Sequence, residues 1–162
     1  MNTKTILAVG GLLTCAAAAA ASAQTATQTV TFQVDAINQV GVTGSPSLAV
    51  NTAVPGAAPT QVSSTGHTWA VTTNQTGAKI TASIASNMPS GLTLQATLGA
   101  GATGATSAGA KTLSTVAQDM VTGLTKVNAT GLPLSYTLDA TSAAGVITSS
   151  SRVVTFTITG GV

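Results

Sequence analysis

Apolar and polar residues alternate without a break over residues 29–36. Val30, Phe32, Val34 and Ala36 fall on one side; Thr29, Thr31, Gln33 and Asp35 fall on the other. A period of two is that of a β-strand with one face buried, since successive side chains point to opposite faces. The opening of the pattern, Val30-Thr31-Phe32, returns near the other end of the chain as Val154-Thr155-Phe156, inside the alternating run 153–158. Between the two lie further alternations: Trp69 and Val71; Ile80, Ala82 and Ile84; Leu92, Leu94, Ala96 and Leu98; Leu134, Tyr136, Leu138 and Ala140. Gly, Pro and Asn separate them. A helix would need apolar residues three and four apart, so these runs constrain the chain to strands.

Taken in order, strand one is expected over residues 28–37. Its parity carries on to Val40 and Val42, with a bulge or bend near Asn38-Gln39. Gly44-Ser45-Pro46 reads as a turn and residues 47–50 as a short strand. Residues 51–66, with Pro55, Gly56 and Pro59, read as a surface loop holding at most a strand fragment at Gln61-Val62. Residues 67–73 and 78–85 form a hairpin across Asn74-Gln75-Thr76-Gly77. Residues 92–98 follow as a strand. The Gly/Ala/Thr/Ser-rich stretch 99–109 reads as a flexible loop or an exposed hairpin tip, and 110–116 as a further strand. Met120, Val121 and Leu124 stand at helical spacing and suggest one helical turn over 118–124. Gly131-Leu132-Pro133 reads as a turn, Ala143-Ala144-Gly145 as a connection and 152–159 as the last strand. The expected fold is all-β: a single antiparallel β-sandwich, immunoglobulin-like or jelly-roll, of about seven to nine strands. Trp69 is expected in its core, with the indole N–H bonded at the edge.

The chain opens with Met1-Asn2-Thr3-Lys4, an apolar run from Ile6 to Ala20, and Ala21-Ser22-Ala23 before Gln24. A basic start, an apolar centre and small residues at the end are the parts of a cleaved signal peptide. Residues 1–23 are so assigned, and 24–162 form the sandwich domain. The run is short and Ala-rich for a membrane anchor, and no basic cluster follows it. The expected location is secreted, extracellular or cell-surface, with the periplasm as a further possibility, and no membrane insertion of the mature chain. The only cysteine, Cys15, lies in the apolar run. If the leader is removed the domain has no thiol; the alternative is that Cys15 is lipidated.

Charge is scarce: five Lys and Arg and three acidic residues in 162, none of them Glu. Nucleic acid and anionic membrane surfaces require clustered cations, and Lys79, Lys111, Lys126 and Arg152 are scattered. A soluble monomer ordinarily carries far more charge. A Thr-rich, nearly uncharged surface suits a protein that packs against copies of itself. No catalytic, cofactor-binding or metal site is expected. His67 is the single histidine, with no carboxylate near it in sequence, and is read as a strand-edge residue. Asp35, Asp119 and Asp139 form no acidic cluster. Asp119 is read as a cap for the helical turn, and Asp35 and Asp139 as outward strand residues that discourage stray pairing. Residues 99–109 lack the Gly-Lys-Ser/Thr ending of a phosphate loop, and Asn74-Gln75-Thr76 and Asn128-Ala129-Thr130 match the N-glycosylation pattern.

First and last strands of a sandwich usually lie at sheet edges, and an edge with an apolar face invites another chain. If the first strand leaves its own sandwich it can complete a neighbour's sheet. The candidate strand-exchange residues are Val30, Phe32, Val34 and Ala36. The signal peptide, the N-terminal Thr/Val strand, the charge-poor sandwich and the matching last strand together resemble small secreted fibre or biofilm-matrix subunits of the fimbrial or TasA/camelysin-like kind. That resemblance implies head-to-tail homopolymers. The chain departs from chaperone-assisted pilins, which often carry a disulfide. The expectation is a non-enzymatic structural subunit; the alternative is a monomeric surface-attached binding or adhesion module. An aromatic strip for carbohydrate is missing. Thr29/Thr31 and Thr155/Thr157 hint at an ice-binding row, without a repeat period to support it. An outer-membrane barrel would need aromatic girdles.

Overall fold

The computed structural model describes residues 23–101 and 104–162. The expected leader, Cys15 included, lies outside the described residues apart from Ala23. From Val34 onward the chain forms one compact unit. It contains β1 (Asn38–Thr43), β2 (Val62–Thr73), β3 (Ala78–Ile84), β4 (Leu92–Leu98), β5 (Thr106–Ser107), β6 (Lys111–Thr112), β7 (Gln118–Leu124), β8 (Val127–Ala140) and β9 (Val154–Thr159), with a 3₁₀ turn at Ser142–Ala144. Two antiparallel sheets pack face to face, one ordered β1-β2-β8-β4-β6 and the other β5-β7-β3-β9. The fold is the all-β sandwich that the alternations predict.

The inward parity of each strand supplies the core. Trp69 and Val71 on β2, Leu94, Ala96 and Leu98 on β4, and Leu132, Leu134 and Tyr136 on β8 form one wall. Ile80, Ala82 and Ile84 on β3 and Met120, Val121 and Leu124 on β7 form the other. Trp69 is 1 % exposed, and its Nε1–H donates to the carbonyl of Gly99 at 3.2 Å. Full burial of such a ring is compatible with folding because its polar tip keeps a partner. Gly99 is held there in turn: its N–H donates to the Pro133 carbonyl at 2.9 Å, and a side chain at Gly99 would strike the Pro133 ring. The start of the Gly-rich stretch is therefore packed.

Several expected elements are different in the structure, and each difference has a backbone cause. Residues 118–124 are a strand, β7, and not a helical turn. Its register against β3 shifts between Ala78 and Ile80 and again between Ile80 and Thr81. Each bulge breaks the alternation, so the consecutive Met120 and Val121 both turn inward. Gly123, at φ +76°, supplies the left-handed residue that such a bulge favours. Gly131-Leu132-Pro133 is likewise no turn. It lies inside β8, where the register against β2 shifts between Trp69 and Val71. A second irregularity, between Ser64 and His67, lets β2 begin at Val62, well inside the expected loop 51–66. Residues 47–50 form no strand, although Leu48 packs against the core. Of 110–116, only Lys111 and Thr112 pair as a strand. No bulge falls at Asn38-Gln39: Asn38 through Thr43 pair with Thr73 through Thr68 in unbroken register.

The largest correction concerns the first strand. It spans Asn38–Thr43, and none of residues 23–37 belongs to a strand. The reason is the length of its neighbour. β2 ends at Thr73 and the chain turns into β3, so β2 does not continue alongside residues before Asn38.

Candidate functional site

Val30, Phe32 and Val34 are 71 %, 89 % and 77 % exposed, and Ala36 is exposed as well. All four candidate strand-exchange residues thus lie on a segment outside every sheet, here termed the arm. An exposed Phe flanked by two exposed Val at strand spacing is unusual, because each loses the free energy of burial, about 1.5–3 kcal/mol per side chain.

The arm's root is held by side chains. Asn74, in the β2–β3 connection, uses its amide as a substitute strand: the Ile37 N–H donates to its Oδ1 at 2.8 Å, and its Nδ2–H donates to the Asp35 carbonyl at 2.8 Å. The Asn74 N–H adds a longer bond to the Ile37 carbonyl. Behind it, Thr73 is buried and its hydroxyl donates to Asn38 Oδ1 at 2.7 Å, while Asn38 Nδ2–H donates to Gln75 Oε1 at 2.8 Å. The Gln75 N–H donates back to the Thr73 hydroxyl. This network keeps residues 35–37 in line with β1 past the end of β2. The C-terminal residues meet the same loop, where Thr76 and Val162 exchange backbone bonds at 2.8 and 3.1 Å. A side chain at Gly160 or Gly161 would collide with Gln75 or with the Thr76 backbone. Only glycine lets the two segments approach this closely.

β9 follows the same alternation as the arm under the opposite condition. Val154, Phe156 and Ile158 are half-buried against the core, and Thr155, Thr157 and Thr159 are exposed. All six residues of β9 pair with β3: Val154 faces Ile84, Phe156 faces Ala82, and Ile158 faces Ile80. β9 is the last strand of its sheet, as β1 is of the other, and the two edges lie beside each other. The apolar side chains of β9 remain only half covered.

The remaining polar residues make no comparable constellation. His67 lies in β2, which pairs on both sides and is not an edge strand. Its Nε2 shares a hydrogen bond with Ser64 Oγ at 2.8 Å, and its ring meets the Tyr136 ring edge-on. Burial raises the Tyr136 hydroxyl above its ordinary pKa. Asp119 caps nothing: it pairs with Lys79 across β7 and β3 at 2.9 Å. Asp139 accepts from Gln61 at 2.6 Å. Asp35 contributes its backbone carbonyl to Asn74. No three His, Cys, Asp or Glu gather among the described residues. No helix among them is long and apolar enough to cross a membrane. No protein family, curated protein or solved structure gives a significant match to the chain.

Asn74 is the residue the sequence does not flag. It stands within both a turn and a glycosylation pattern, and its bonding to Asp35 and Ile37 spans some forty positions of chain.

Proposed function

We propose that this protein is a non-enzymatic, exported structural subunit that polymerises by lending its arm to a neighbouring copy. The observation that carries this reading is the exposure of Val30, Phe32 and Val34 on a strand-patterned segment outside any strand. A segment with period-two alternation has the residues to occupy the edge of a sheet, where backbone hydrogen bonds give affinity and the apolar parity gives specificity. The scarcity of charge supports the same reading, because little like-charge repulsion opposes contact between copies. The leader-like residues 1–23 and the Thr-rich surface fit a fibre or matrix outside the cytoplasm.

The test is electron microscopy of the exported product of the full chain, beside a variant lacking residues 24–33. Filaments from the full chain that vanish on deletion, leaving a folded monomer, are the expected result. Filaments that survive the deletion remove the arm from assembly. A monodisperse monomer from the full chain removes the polymer altogether and favours a surface-attached binding module.

A further inference from the structure

We infer, resting on the polymer reading above, that the arm of one copy adds antiparallel to the outer edge of β9 in the next copy, with Phe32 opposite Phe156. Direction selects this edge. Residues 35–37 are held in line with β1 by Asn74, so the arm enters its own subunit running in the direction of β1. β1 is antiparallel to β2 and β9 is antiparallel to β3; β2 and β3 are successive strands joined at 74–77 across the same end of the sandwich. β9 therefore runs opposite to β1 and to the arm. In a head-to-tail stack all copies point the same way. An arm that keeps this direction into the neighbour meets its β9 antiparallel and its β1 parallel. Every ladder among the described residues is antiparallel, and antiparallel pairing is the more stable per residue.

The same direction disfavours pairing within one chain. To lie on its own β9, the chain would have to reverse at residues 35–37, against their hydrogen bonds with Asn74, and would then run parallel.

Parity limits the register to shifts of two, and the match of Phe32 to Phe156 leaves no arm or β9 position unpaired over residues 29–34. Centring Phe32 on Phe156 sets Val34 opposite Val154 and Val30 opposite Ile158 on the inward face. It sets Gln33, Thr31 and Thr29 opposite Thr155, Thr157 and Thr159 on the outward face. The arm's three apolar side chains then cover the flank that β9 leaves half exposed, and the outward row becomes paired hydroxyls and an amide. Shifting the arm by one residue would turn Val30, Phe32 and Val34 to solvent. The β1 edge offers less: beyond Val40 its inward parity holds only Val42, which is 47 % exposed. Reach is sufficient, since residues 29–34 extend about 20 Å at about 3.3 Å per residue, the length of the six residues of β9.

The experiment is cross-linking in the full chain, with Cys15→Ser removing the native thiol. Thr31→Cys is combined in turn with Thr157→Cys, Thr155→Cys or Gln39→Cys, all exposed positions. A short thiol-reactive linker is applied, and the products are separated under denaturing conditions. The expected result is a ladder of covalent multimers from the Thr157 pair, well above the Thr155 and Gln39 pairs. Filaments that give the ladder from the Gln39 pair place the arm on β1. A ladder from the Thr155 pair makes the addition parallel or moves the antiparallel register by two residues. A cross-linked single chain from the Thr157 pair makes the arm self-complementing. Any of these overturns the assignment while leaving the arm in use. Absence of filaments from the Cys15→Ser parent overturns the polymer reading and this assignment together.

Discussion

The arm and β9 begin with the same three residues, Val-Thr-Phe, and share the same alternation, yet they end in opposite states. Phe156 is half-buried in a ladder with β3, while Phe32 is 89 % exposed and outside any strand. Local propensity cannot separate them, since Val, Thr and Phe favour strands equally in both places. What differs is the backbone alongside. β9 has all of β3 beside it; residues 35–37 lie past the last residue of β2, where the Asn74 amide bonds Asp35 and Ile37. A strand-forming sequence is therefore a capacity, and a neighbouring chain realises it.

That contrast can be broken most sharply at the two phenylalanines. Phe156→Ala is expected to destabilise the subunit by about 2 kcal/mol, below the ~3–5 kcal/mol of a fully buried Phe because this ring is half covered. Phe32→Ala is expected to change the monomer's stability, measured by urea unfolding, by less than about 0.5 kcal/mol, as exposed substitutions do, while reducing filament yield. Equal losses at both positions in dilute monomer would mean that the arm is already docked in its own subunit. A smaller effect is expected at the root. Asn74→Ala removes two side-chain bonds from an exposed site, at a cost of about 1 kcal/mol. Hydrogen exchange at the Ile37 amide should accelerate while amides in β3 keep their protection; unchanged exchange at Ile37 would show that β1 alone fixes the root. The smallest effect is expected on the outer face of the β9 sheet. Lys79 and Asp119 are 43 % and 49 % exposed, so Lys79→Met should change stability by less than about 1 kcal/mol, and less still in high salt. A larger loss would mean that this surface is less accessible to solvent than the sandwich alone makes it.

Much of the sandwich is legible in residue order, and two of the misreadings share one origin. Trp69, Ile80, Leu94, Leu98 and Tyr136 announce the core because each sits on an unbroken alternation. Met120-Val121 and Gly131-Leu132-Pro133 mislead because β-bulges imitate other signals. Two successive inward residues look helical, and a glycine and a proline one residue apart look like a turn. A bulge depends on the register of a strand distant in sequence, so one strand's own residues do not specify it. The same holds at the candidate site. Val30, Phe32, Val34 and Ala36 stand out in the sequence, whereas Asn74 gains its part only by meeting Asp35 and Ile37 in space.

Alone, the order of residues determined the all-β class, the inward faces and the two matching terminal patterns, because side-chain alternation is a local property of the chain. The tertiary structure alone decided that one of those patterns lies in a sheet and the other lies outside every strand. Backbone hydrogen bonding between strands joins residues far apart in sequence, and where β2 stops relative to Asn38 is fixed only once the sheets have assembled.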